Sequence, residues 1–384
     1  MNIKQNRWQK STGWEQDIND FKNFSPNLVF IFASKTIITD KTLLQEANAL
    51  FPEAQIVGCS TAGEIIGAQV SDDSAVVTAI KFKATKVRVK SVTLGDDKNS
   101  YWAGEALIKS LLDTKLKHVV VISNGTKVNG DALVKGLNEF LPQEVKVTGG
   151  LAGDGADFEQ TFTFHNNETP SDNSVIAIGF YGDKLQVGYG SMGGWDAFGP
   201  QRKVTRATGN ILYELDGESA LEIYKKYLGD KAKELPLSAL LFPLCLKEDP
   251  HDKNTPSVVR TILSVDENTQ SMVFAGDIPK GWYAQFMKAN FDHLVEGAEK
   301  AATASIESLT AATNQFGLLI SCVGRKLVLK QRTDEELEAV QTILGKNAAM
   351  TGFYSYGELS PFAHSDDCRL HNQTMTVATF SESE

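Results

Sequence analysis

Three glycine-bracketed turns, each closed by an acid, are the parts of this chain best suited to hold a ligand. They read GCSTAGE (Gly58 to Glu64), GGLAGD (Gly149 to Asp154) and GFYSYGE (Gly352 to Glu358). Glycines in such turns supply positive φ or let a backbone approach closely. Exposed turn amides can take an anion and a nearby carboxylate a cation, which suits a zwitterion. The candidate ligand-binding residues are Gly58, Cys59, Ser60, Glu64, Gly149, Asp154, Tyr354, Tyr356, Glu358 and Asn372. The alternative is structural, with each acid bonded to the amides of its own turn. Gly58-Cys59-Ser60-Thr61-Ala62 also approaches the GxSxG elbow of hydrolases, which sets a serine at a strained strand-to-helix apex. A hydrolase using Ser60 or Cys59 needs a helix after the turn, and GAQVSDD from Gly67 does not read as one.

The segment Gly352 to Thr376, GFYSYGELSPFAHSDDCRLHNQTMT, is dense in tyrosine, histidine and amide side chains. Its His371 stands before an alternating strand, where it is a ligand contact, a metal or haem ligand, or a structural residue. His165 follows the aromatic run TFTF and is a second candidate ligand, while His364 lies in a polar loop expected to be solvated. Gly188 to Gly199 (GYGSMGGWDAFG) is either an irregular β connection or a lid carrying Trp195 and Phe198.

The turns end three similar stretches, Leu28 to Glu64, Val119 to Asp154 and Leu318 to Glu358. Each opens with an apolar run that reads as a strand buried on both faces. A helix should follow: Asp40 caps one with the stripe Leu43, Leu44, Ala47 and Leu50, and Pro52 ends it. Leu133, Val134, Leu137 and Phe140 repeat that stripe, and Thr333 with Glu336 forms a capping-box pattern before Leu337, Val340 and Leu344. Closing strands are expected at Ala75 to Phe82, Val175 to Phe180 and Thr374 to Phe380. Repetition of this kind predicts copies packed about a shared centre, with their turns converging on one pocket. Between the second and third copies a strand is expected at Val258 to Val265 and a long helix from about Trp282 to Thr310.

The fold class expected is α/β, with two domains of mixed sheets flanked by helices and a parallel strand pair in each copy. The division expected is an N-terminal arm over 1–26, a domain over 27–215 holding two copies, and a domain over 216–384 holding the third. At 384 residues, 42% hydrophobic and 22% charged, the composition is that of an ordinary globular protein. A net charge of -10 argues against nucleic acid or an anionic membrane as partner. The four scattered cysteines form no CxxC pair, which argues against a disulfide framework or a zinc site. MNIKQNRWQKSTGW lacks the apolar core of a secretion signal and no run is long enough to span a bilayer, so a cytoplasmic protein without membrane insertion is expected.

In combination, VGCSTAGEI from Val57, TGGLAGDG from Thr148, the GYGS stretch, MKANFDHLVEGAEKAA from Met287 and GFYSYGE followed by CRLHNQTMT resemble the FIST family of sensory proteins. The resemblance covers about residues 27–380 and implies a non-enzymatic sensor of small molecules, amino acids among the ligands proposed for the family. It also implies a histidine kinase or an enzyme of cyclic-di-GMP turnover as partner. A subset of stand-alone members binds haem b and senses nitric oxide through a partner kinase. With no fused output domain, haem-based sensing is the leading specific expectation, and without CxxCH any haem is held non-covalently by His371 or His165. A receptor for an amino acid or similar polar metabolite is the alternative, and a hydrolase using Ser60 or Cys59 the third.

Overall fold

The computed structural model describes residues 1–383 apart from 96–97, 236, 253–254, 256, 308, 310–315 and 363–366; His364 and Thr310 therefore lie outside the described residues. The apolar run Leu28–Ala33 is a strand buried at every position. It lies between a parallel partner, Gln55–Ser60, and an antiparallel one, Ala75–Lys81. The same order surrounds Leu116–Ser123, with Lys146–Leu151 parallel and Ser174–Tyr181 antiparallel. It surrounds Phe316–Cys322 as well, with Ala349–Ser355 parallel and Met375–Glu382 antiparallel.

One face of each arrangement points to a common centre. Phe30 stacks on Phe316 with centroids 6.2 Å apart, Phe32 lies 4.8 Å from Phe353, and Phe180 lies 5.2 Å from Phe380. Val120, Ile122, Ile176 and Ile178 complete this core from the second unit. The opposite faces are covered by helices. Lys35–Asp40 and Thr42–Leu50 cover the first unit, with Ile37, Ile38, Leu43 and Ala47 packed onto Val29 and Ile31. Ser100–Leu111 and Gly130–Phe140 serve the second, Phe291–Glu307 and Thr333–Leu344 the third.

The structure is α/β with mixed sheets flanked by helices, but its sheets cross residue 215. Glu64–Ile66 pairs with Ala349–Ser355, Gly357–Pro361 with Lys146–Leu151, and Leu185–Met192 with Met375–Glu382. The third unit is thus woven into the first two. Within residues 1–26, Asn2–Gln9 pairs antiparallel along Ala75–Lys81 and extends the first sheet. A separate sheet gathers strands from Asp196–Thr208 to Tyr283–Lys288 around Val204, Leu244, Phe274 and Phe286. No described helix is long and apolar enough to cross a membrane.

Several local expectations are corrected. Asp40 does not cap the helix after it; it ends Lys35–Asp40, and Lys41 at φ 67 reverses the chain into Thr42–Leu50. Met287 belongs to strand Tyr283–Lys288, so the long helix starts only at Phe291. The strand at 258–265 is broken at Thr261 into Ser257–Arg260 and Ile262–Asp266. Thr333 and Glu336 form no capping box, since the Thr333 hydroxyl donates to the Lys330 carbonyl and Glu336 turns inward. Glu336 pairs with the fully buried Arg325 at 2.7 Å and accepts the Tyr354 hydroxyl at 2.6 Å. Trp195 is no lid either, being buried with its indole N–H on the Gln373 carbonyl at 2.9 Å.

The first glycine of each turn has one cause. Gly58, Gly149 and Gly352 sit opposite Ile31, Val121 and Leu319 in the parallel pairs. A Cβ there would lie 1.8, 2.0 and 1.7 Å from the partner's carbonyl oxygen. Backbone meets backbone, and no side-chain rotation relieves it. Gly352→Ala should therefore destabilise by on the order of 3 kcal/mol, while Gly95→Ala, whose Cβ meets nothing within 4 Å, should be near neutral. Urea unfolding of both variants checks this, and equal midpoints would refute the close-approach account.

Candidate functional site

Each turn leaves the carboxyl end of its unit's second strand, and the three meet. Ala62 donates its N–H to the Tyr354 carbonyl at 2.9 Å, and Tyr354 returns one to Gly63 at 2.8 Å. Gly153 and Gly155 donate to Ser60 and Thr61, and Tyr356 donates to Leu151. Convergence is real, but the amides are spent on one another. They are not an open anion cradle.

The acids explain themselves in the same way. Glu64 accepts from the hydroxyl of Thr61 at 2.5 Å and from the N–H and hydroxyl of Ser74 at 3.2 and 2.7 Å. Glu358 accepts equivalently from Ser355 at 2.7 Å and from the N–H and hydroxyl of Thr374 at 3.2 and 2.9 Å. Both carboxyls tie a turn to the start of its closing strand. Burial pushes Glu64 up to about 7 and Glu358 up to about 8.

The second turn differs. Asp154 is turned toward Lys35, 3.0 Å away, and accepts the Tyr356 hydroxyl and the amides of Glu159 and Gln160. Burial opposes its ionisation, but these donors outweigh burial and hold its carboxyl below the usual value. The Tyr356 oxygen also accepts the N–H groups of Asp154 and Phe158, both at 3.1 Å. This unit leaves a mouth open.

A cavity of about 640 Å³ lies there, at the carboxyl ends of Leu116–Ser123 and Lys146–Leu151. Its size is that of a small-molecule site, and strand carboxyl ends are where open α/β sheets hold ligands. One wall comes from Gly125, Thr126, Val128 to Gly130, Leu151, Ala156 to Phe158 and Tyr356; the other from Asn210, Leu240, Ile262, Leu263 and Phe274 to Gly276. Asn124, fully buried, holds the first loop by bonding Thr161 and the amides of Thr126 and Lys127. Asn129 caps helix Gly130–Phe140 by accepting the Ala132 N–H. Beside the cavity Arg260 grips Asp131 at 3.0 and 3.2 Å, joining the two walls.

The FIST N domain matches residues 27–218 and the FIST C domain residues 220–361. The chain belongs to the FIST family. Its domains are associated with signal transduction and small-ligand sensing. An uncharacterised protein of Methanocaldococcus jannaschii is 25% identical over 346 residues, covering 83% of this chain. This chain spans 64% of that relative's length.

Of the residues singled out in the sequence, only Tyr356 lines the cavity. Gly58 and Gly149 are used in strand packing, and Cys59, Ser60, Glu64, Glu358 and Asn372 are buried with partners of their own or in the core. Ser60 accepts the Phe162 N–H at 2.8 Å, and Cys59 is fully buried with its thiol pushed up by burial and by Glu64. Tyr354 is committed to Glu336, and the Asn372 amide to the His371 carbonyl at 3.0 Å. Asn124, Asn129, Phe158, Asn210 and Leu263 were missed. The stretch SNGTKVNG from Ser123, polar directly after a buried strand, was the available signal for the first two.

Haem does not fit this cavity. Among the described residues its walls contain no histidine, cysteine or methionine, and the Tyr356 hydroxyl is already occupied. His371 is buried away from it, with Nε2–H donating to the Ser360 carbonyl at 3.0 Å, the ring against Phe362 and its pKa lowered to about 4 by burial. His165 bonds Gln55 at 2.9 Å. Among the described residues no group of three or more His, Cys, Asp or Glu could hold a metal ion.

The buried acid gives a test. Glu358 binds its proton more tightly folded than unfolded, so its contribution to stability is full below about pH 4.5 and falls until about pH 8. Glu358→Gln removes that dependence. The melting temperature of the variant relative to wild type should therefore rise between pH 5 and pH 9. A difference independent of pH would mean that Glu358 is ionised in the folded protein.

Proposed function

We propose that this chain is a sensor that takes a small metabolite in the cavity between the second turn and the Asn210 to Gly276 wall. The observation that carries the reading is the origin of the two walls. One belongs to the interlocked turns of the second and third units and the other to the separate sheet around Val204 and Phe286, so a ligand bridging them favours one relative arrangement over another. A ligand controls a partner only through unequal affinity for two such states. The output is contact with a histidine kinase or a cyclic-di-GMP enzyme, as the sensory role of the family suggests.

An amino acid or similar polar metabolite would meet the Asn129 Nδ2 and the Asn210 Oδ1, whose other amide atoms bond the Ala132 N–H and the Phe274 carbonyl, rather than the turn amides. The haem-based, nitric-oxide version has less support, since His371 and His165 lie outside the cavity and are bonded elsewhere. Hydrolysis has little support, because Ser60 is buried with its oxygen taken by a backbone amide.

A thermal-shift screen of metabolites tests the reading, with Ala156→Trp as control because Ala156 is an exposed residue on the cavity wall. A ligand at a hundred times its Kd should stabilise the wild type by about 2.7 kcal/mol, and the variant by far less. Equal stabilisation of both would place the site elsewhere. A Soret band on haem addition, lost in His371→Ala, would restore the haem version.

A further inference from the structure

Resting on that reading of the cavity, we propose that its ligand is a planar, largely apolar ring compound, neutral or singly cationic, stacked on Phe158. Six large apolar side chains are exposed among the described residues, and two of them, Phe158 at 40% and Leu263 at 43%, stand on this cavity. They come from opposite walls. Val128, Leu151, Ile262, Phe274 and Leu370 continue the apolar surface between them.

Phe158 is held as a platform. Its ring lies nearly parallel to Tyr356, centroids 4.4 Å apart and planes 17° apart. Its backbone takes φ 56, a conformation that an aromatic residue adopts only when its surroundings compel it. The compulsion is visible: the Phe158 N–H donates to the Tyr356 hydroxyl, which is itself fixed on Asp154. A strained backbone thus presents a ring that is stacked on Tyr356 on one face and still leaves 40% of the residue exposed over the cavity. A second aromatic ring sliding over it would bury that surface and add a stacking contact.

Charge narrows the class. Asp157 is the single charged side chain on the described wall. The helix N-terminus at Gly130 carries its own acid, Asp131, in its first turn, so its attraction for anions is already answered. Lys35, off the wall, lies 3.5 Å from Asp157 but is shared with Asp154 at 3.0 Å, so a carboxylate or phosphate would meet Asp157 with no cation of the described wall to offset it, whereas a neutral or positive edge would not.

The test uses the full chain and the uncharged probe N-phenyl-1-naphthylamine, followed by fluorescence, with indole and L-glutamate as competitors. Saturable binding is expected, displaced by indole and not by L-glutamate. Phe158→Ala should weaken it roughly tenfold, Phe158→Trp should preserve it, and Leu263→Ser should weaken it, all with the melting temperature held. Unchanged affinity in Phe158→Ala, or displacement by L-glutamate alone, overturns the ring class. If a metabolite's stabilisation still vanishes in Ala156→Trp, the cavity reading survives that failure. If Ala156→Trp changes no ligand's effect, both fall together.

Discussion

Backbone groups buried at the meeting point of the three turns must find hydrogen-bond partners, and they find one another. Ala62 and Tyr354, Gly153 and Ser60, and Tyr356 and Leu151 make one interlocked knot of main chain from segments far apart in sequence. Close approach of each second strand to its neighbour, possible only at Gly58, Gly149 and Gly352, brings the turns to that point. The acids then have a single task in two of the three units. Glu64 and Glu358, deprived of water and given hydroxyl and amide donors, lash the turns to Ser74 and Thr374.

The second unit breaks this pattern, and the site follows from the break. Asp154 serves Lys35 and Tyr356 instead of its own closing strand, where Ser174 bonds Thr163 at 2.5 Å. The loop after Asp154 is drawn over Tyr356, Phe158 is displayed, and a cavity of about 640 Å³ opens beside it. The opposing wall is carried by the sheet around Val204 and Phe286, pinned by Arg260 on Asp131 and by the Asp277 N–H on the same carboxylate at 2.6 Å. The cavity wall and the contacts that pin the separate sheet therefore share one helix N-terminus. That is a physical basis for coupling occupancy to domain arrangement.

Much of the fold was legible before any tertiary information. The run LVFIFA announces a strand buried on both faces because apolar residues at every position leave no face for water. Helical stripes such as Leu133, Val134 and Leu137 follow from periodicity, and the repeated glycine turns from their spelling. Local reading failed where a polar residue had two uses. Asp40 and Glu336 both look like helix caps, yet one ends a helix before a reversal at Lys41 and the other answers a buried arginine eleven residues earlier. A cap and a buried ion pair call for the same side chain, so spacing alone does not separate them.

By itself the sequence determined the class of strands and helices, the three turns and their likeness to the FIST family, since these depend on patterns within a few dozen residues. Only the tertiary structure decided which turn stays open. That depends on Lys35 reaching Asp154, on Tyr356 reaching across from the third unit, and on Leu263 facing Phe158 over a gap. Each of these pairs is separated by a hundred residues or more. Their meeting is set by how sheets pack and which amides remain unfilled, quantities that no local pattern of residues encodes.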